Sequence, residues 1–181
     1  MNPNNYIEVR RRCNVPCIKH YNAVACMSLD EEQGLLYSGS WDRTMKVWRI
    51  SDSKCLESVN AHEDAINFIV VGFDGLVFTG SADGTVKERK KKTFSHGGVL
   101  RGHKLAMLCL ATAGNLLLCE STDKSIYVWQ NEGGSMHTCL SVLNGHTGSV
   151  KCLVVQDRNE DDDQTDEEWI VYSGSLVWIT H

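Results

Sequence analysis

His20, Ser38 and Asp42 supply the three side chains of a nucleophilic triad: a hydroxyl to attack, an imidazole to take its proton, and a carboxylate to hold the imidazole. The same types then return. His62, Thr79 and Asp83 follow, then His103 with Asp123, then His146. The histidines step by 42, 41 and 43 residues and the aspartates by 41 and 40. A reaction needs one centre, whereas a set reproduced at a fixed period is the mark of a repeated structural unit. No oxyanion-binding pattern and no non-repeating polar cluster accompanies these residues. The expectation is a protein without catalytic residues and without enzymatic activity.

The eight cysteines answer to the same period. Cys26, Cys109 and Cys152 each follow a histidine by six residues, and Cys13, Cys55 and Cys139 each precede one by seven. Residues locked to equivalent repeat positions lie in separate units and cannot gather around one ion. Cys13 and Cys17 form the one close pair, with no second half at ligand spacing. Neither a metal nor any other cofactor is expected, and the thiols are read as small apolar side chains.

Stepping outward, the elements that position these residues are short hairpins. Residues 35–50 read LLYSGSWDRTMKVWRI: a strand through Tyr37 and Ser38, a reversal at Trp41-Asp42-Arg43, and a return strand ending in Trp48. Residues 75–87 (GLVFTGSADGTVK) and 115–129 (NLLLCESTDKSIYVW) repeat the pattern, and YSGSLVW at 172–178 begins it again. Asp83-Gly84 is a strong turn signal. The expected inner strand of the first unit is 24–29 and its outer strand 55–59, with further strands at 65–71 and 150–155. Residues 6–9 and 17–19 are expected to be short strands ahead of it.

The formal charge of −5 is unevenly spread. Residues 157–168 (DRNEDDDQTDEE) carry a net −7, which leaves +2 for the rest. That block is expected to be a solvated loop between the first two strands of the fourth unit, with docking of a basic partner as the alternative. The basic run 87–92 (KERKKK) is read as a solvated strand end, because no aromatic or groove-entering element accompanies it to bind nucleic acid. The most apolar stretch, 65–78, is broken by Gly72, Asp74 and Gly75, so no membrane span is expected. No signal peptide is visible, and there is no Asn-x-Ser/Thr acceptor. An intracellular, soluble protein of cytoplasm or nucleus is the expectation.

A Ser-Gly-Ser strand, an Asp at the turn and a Trp six residues later resemble one blade of a WD-repeat β-propeller. The resemblance implies an all-β fold, a partial propeller or open arc of about four four-stranded blades. Residues 1–19 would lead into a propeller domain at 20–181, with units 20–61, 62–102, 103–145 and 146–181. In that family a His, a Ser or Thr, the turn Asp and the Trp form a buried hydrogen-bonded set. The matching positions are His20, Ser38, Asp42 and Trp48; His62, Thr79 and Asp83; His103, Asp123 and Trp129; and His146. The donor and acceptor inventory permits it, since an indole N–H only donates, a hydroxyl does both and a carboxylate only accepts. Arg89 stands at the Trp position of the second unit and Cys119 at the hydroxyl position of the third.

Over most of its length the chain is also similar to longer plant WD-repeat proteins of the Jingubang type, which have seven blades. By that similarity a whole unit is missing between Lys87 and Glu88, the second blade is a hybrid and the fourth is cut short. The implied role is a non-enzymatic scaffold or adaptor for other proteins, of a plant regulatory kind. Substrate receptor of a ubiquitin ligase and a non-functional truncated product are the alternatives. Partners are expected on the narrow face, with Trp41 as candidate anchor and Ala82 and Thr122 as the small residues in matching positions. Self-association through uncovered blade flanks is a further expectation.

Overall fold

The computed structural model describes residues 19–93, 95–157 and 169–176. Among these residues, fourteen strands fall into four antiparallel sheets. The first contains β1 (Val24–Asp30), β2 (Leu35–Ser40), β3 (Thr44–Arg49) and β4 (Lys54–Asn60), hydrogen-bonded in chain order. The second contains β5 (Ile66–Val71), β6 (Leu76–Ser81), β7 (Thr85–Lys90) and β8 (His96–Arg101). The third contains β9 (Met107–Ala113), β10 (Leu116–Ser121), β11 (Ile126–Asn131) and β12 (His137–Leu143). The fourth, among the described residues, pairs β13 (Val150–Asp157) with β14 (Trp169–Ser175). No helix is among the described elements, so none is long and apolar enough to cross a membrane.

The hairpins form because their loops supply the right conformations. Between β2 and β3, Arg43 N donates to Ser40 O at 3.1 Å and Arg43 then takes φ 70°. Gly84 (φ 79°) and Lys124 (φ 73°) repeat that geometry in the next two sheets. A turn followed by one left-handed residue is a common three-residue hairpin loop, and it re-aims the return strand. At Gly84 the close approach matters too, since an added Cβ would meet Leu105 O at 3.3 Å.

The sheets stand side by side through their first strands: β1 touches β5, β5 touches β9 and β9 touches β13. Each junction holds its own apolar cluster. Tyr37, Met45 and Val47 meet Ile66, Ile69 and Val77 between the first two sheets. Phe78 and Val86 meet Met107, Leu110 and Leu117 at the second junction, and Leu118 and Ile126 meet Val150 and Leu153 at the third. Alternation along each strand therefore sends one set of side chains forward and the other back. The arrangement is an open arc of a β-propeller, as the repeat implied. Its ends are uncovered: Met27 is 65% exposed where its register equivalent Ile69 is 3%, and Tyr172 is 54% exposed where Tyr37 is 1%.

One expectation is overturned. The basic run is no solvated strand end: residues 87–90 complete β7, and the second sheet has all four strands. Glu88 is fully buried, Lys87 Nζ donates to Ala61 O at 2.8 Å, and Lys91 Nζ pairs with Asp30 Oδ2 at 3.1 Å, both groups buried. Only Lys90 and Lys92 of the run's lysines face water. Strand alternation and the neighbouring sheet, not composition, decide which lysines are solvated. The expected strand at 6–9, nearly all of 17–19 and nearly all of the acidic stretch 157–168 lie outside the described residues. Lys19 is in a bend, not a strand.

Candidate functional site

The first set is assembled from three directions. The loop ahead of β1 brings His20, the middle of β2 brings Ser38, and β3 with its turn brings Trp48 and Asp42. Trp48 Nε1 donates to Ser38 Oγ at 2.9 Å, and Ser38 Oγ lies 2.8 Å from His20 Nε2. His20 Nδ1 lies 3.1 Å from Asp42 Oδ2. With the indole donating, the hydroxyl donates to Nε2 and the imidazole donates from Nδ1 to the carboxylate, a consistent relay with a neutral ring. Asp42 also accepts from Tyr21 N at 2.7 Å, Thr44 N at 2.9 Å and Thr44 Oγ1 at 2.5 Å.

The electrostatics agree with a neutral imidazole on an ionised carboxylate. Burial lowers the His20 pKa below its usual 6.5, and the neighbouring Asp42 only partly offsets this. Burial alone would raise Asp42, but the Thr44 hydroxyl, the Tyr21 and Thr44 amides and His20 together hold it well below the usual carboxylate range.

The second set has the same geometry without an indole. His62 Nδ1 lies 2.9 Å from Asp83 Oδ2 and Nε2 lies 2.8 Å from Thr79 Oγ1, whose other neighbour is Lys87 O at 3.2 Å. In the third, His103 Nδ1 lies 2.9 Å from Asp123 Oδ2. Cys119 Sγ accepts from Trp129 Nε1 at 3.3 Å and lies 3.4 Å from His103 Nε2, which also reaches Cys119 O at 3.1 Å. Burial pushes the Cys119 thiol up to about 12, so it stays protonated. In the fourth, His146 Nε2 reaches Ser173 Oγ at 2.8 Å.

The first set brings Ser, His and Asp within triad distances, yet its chemistry is already spent. Ser38 is 4% exposed, its oxygen accepts from an indole, and the same geometry recurs two sheets away with sulfur in place of oxygen. Of the six described cysteines, Cys26, Cys109 and Cys152 lie in first strands, Cys55 and Cys139 in fourth strands and Cys119 in β10, and no group of metal-ligating side chains forms among the described residues.

Two residue positions were missed at the level of sequence, although the period marks both. Thr44, Thr85 and Ser125 each follow a turn Asp by two residues and donate to it. Ser40, Ser81 and Ser121 each precede one by two residues and accept from the Asp amide at 3.1, 3.1 and 3.2 Å. Two cross-sheet features carried no such signal. Glu88 accepts from Gly98 N at 2.6 Å and lies 3.4 Å from His137 Nδ1 of the third sheet. Glu120 is buried with neither carboxylate oxygen hydrogen-bonded.

Trp41 sits on the turn edge next to Asp42 and is 55% exposed, with Tyr21 beside the same aspartate 70% exposed. Ala82 and Thr122 hold the matching positions and are half-buried. Trp41 thus gives this edge of the arc an aromatic prominence on the first sheet alone.

The profile of the WD40 family, described as WD domain, G-beta repeat, matches residues 12–49, 53–87 and 94–130. Mitogen-activated protein kinase kinase kinase A of Dictyostelium discoideum is 29% identical over 74% of this chain and 19% of its own length. The small ribosomal subunit protein RACK1y of Oryza sativa subsp. japonica is 30% identical over 54% of this chain and 29% of its own. Among solved structures, the computationally designed Ika8 protein superposes with a TM-score of 0.72 at 28% identity, covering 86% of this chain and 44% of Ika8. The chain spans half or less of the length of such curated relatives, 50% of one from Schizosaccharomyces pombe and 19% of the Dictyostelium protein.

Proposed function

This chain belongs to the WD-repeat family, and from that premise we propose that it is a non-enzymatic scaffold that binds other proteins through the turn edge around Trp41. Protein interaction is what WD-repeat relatives support in general, and the Ser38 hydroxyl of the first staple is engaged by Trp48 and His20. The carrying observation is the exposed indole of Trp41, rigidly placed by a turn whose aspartate accepts four hydrogen bonds. A fixed, exposed aromatic is the kind of residue that dominates binding energy at an interface. A regulatory adaptor of the plant type, in cytoplasm or nucleus, is the finer form of this proposal, resting on the motif resemblance alone.

The test compares wild type with Trp41→Ala, which leaves every staple intact. Recovery of bound proteins from matched extract, quantified by mass spectrometry, should fall about tenfold for the specific partners, a typical loss for one anchor. Unchanged recovery removes Trp41 from the site.

Self-association is a second reading, favoured by the bare flanks. Val24, Met27 and Leu29 are 49%, 65% and 46% exposed, and with Leu36, Trp48 and Ile50 they line a groove of about 450 Å³. At the other end, Val154 and Tyr172 are 60% and 54% exposed. Within the chain, the face carrying Tyr37 packs onto the face carrying Ile66 and Ile69, so the face carrying Tyr172 is matched to that of a second copy's Val24 and Met27. Met27→Asp and Tyr172→Asp should each give monomers in sedimentation, while a mixture of the two regains one intact contact. A wild-type monomer with a sharp melt refutes this contact.

A further inference from the structure

The strand register places Gly39, Gly80, Glu120 and Gly174 at one structural position, opposite Cys26, Phe68, Cys109 and Cys152. The position faces the next sheet. A Cβ added at Gly39 would meet Ile66 Cγ2 at 2.7 Å, and one at Gly80 would meet Met107 Cβ at 3.3 Å. In the first two sheets a glycine lets the neighbouring inner strand come close. In the third sheet that slot holds a glutamate.

Glu120 shares its face with Leu118, which belongs to the cluster that meets Val150 and Leu153 of β13. Its side chain is fully buried, and neither oxygen has a hydrogen-bond partner. An ionised carboxylate cannot be held there without compensation, whereas a neutral one can. Burial accordingly raises its pKa from 4.5 to about 8. Among the described residues no cation is paired with it. The Cys109 thiol of β9, opposite Glu120 in register, is itself pushed up to about 11, by burial first and then by Glu120, with Cys152 of β13 adding to it. β11 contributes Ile126 to the same cluster, and β13 contributes Val150 and Leu153.

We propose that Glu120 is a proton-operated latch between the third and fourth sheets: protonated, it lets β13 and β14 close onto β9 and β10, and ionised it drives that pair away to reach water. The fourth sheet is the element free to respond. Among the described residues its staple is the single contact of His146 with Ser173, and Val154 and Tyr172 on its far face are exposed. The direction follows from linkage. The open state has an ordinary glutamate, so the closed contact is at full strength below pH 4.5, weakens as pH rises toward about 8, and is constant above that. Within the window the opening constant rises roughly tenfold per pH unit.

The experiment is amide hydrogen exchange on the full chain between pH 5.5 and 9, corrected for intrinsic rates, read on peptides covering 150–157 and 169–175. Wild type should lose protection there by roughly tenfold per unit up to pH near 8 and then level off. Glu120→Gln removes the charge, and Glu120→Gly restores the residue type of the other sheets; in both, the slope should vanish. A slope that survives in either folded variant assigns the titration to another group and overturns the latch. So does a wild-type chain whose fourth sheet shows no pH dependence.

Discussion

The first and second sheets solve the same problem with different parts. In the first, an indole completes the relay through Ser38, His20 and Asp42, while one face of the sheet lies open. In the second, Arg89 replaces the indole, yet the His62 side chain is 0% exposed against 5% for His20. The first sheet reaches this staple through Arg43 O, which accepts from His62 N at 3.4 Å, and clamps the second sheet through Asp30 and Lys91 and through Ala61 O and Lys87. A staple thus need not be complete where a neighbouring sheet excludes water from it.

The largest test of that contrast is Lys91→Ala, which strands the Asp30 carboxylate at 3% exposure. It should cost about 4 kcal/mol by denaturant unfolding, and Asp30→Leu with Lys91→Met should recover most of it. If the single variant melts like wild type, the clamp contributes nothing and the comparison fails. Next in size, His62→Ala should cost about 3 kcal/mol and His20→Ala clearly less, because the second sheet is packed on both faces and the first on one. Equal losses would mean that neighbours do not matter to the staple.

Cys119→Ser should stabilise the third sheet by about 1 kcal/mol, since a hydroxyl is the better partner for both Trp129 Nε1 and His103 Nε2. A loss instead would show that the larger sulfur is needed to fill its site. The smallest effect is on the acid limb. His20 and His62 have lowered pKa values, so their contribution starts to fall as pH drops through 6.5. Asp42 and Asp83 are lowered too, so a second loss begins near the ordinary aspartate value of 3.8 and continues below it. Asp42→Asn should shrink that lower limb in a pH series of melting curves, leaving the share of Asp83 and the His62 limb below pH 6.5 in place.

Much of the staple geometry could be read beforehand because its members recur at one period. His20, Ser38 and Asp42 each have counterparts about 41 residues on, and a period requires no knowledge of which strands touch. The same logic would have found Thr44, Thr85 and Ser125. Residues without counterparts were opaque. Lys91 lies in a basic run that reads as solvent-facing, and Glu88 stands at the position of Val47, where a buried residue should be apolar. Both are explained by their tertiary partners: Asp30 of the first sheet for one, and for the other Gly98 of the paired strand with His137 of the third sheet.

Strand order within each sheet, the hairpin loops and the repeated hydrogen-bonded sets follow from local chemistry, because hydroxyl, imidazole, carboxylate and indole can satisfy one another in essentially one order. Which charges are buried, which flanks stay bare and where a carboxylate is left without a partner are set by how one sheet lies on the next. Burial is a property of the pair of surfaces, and no single repeat contains it.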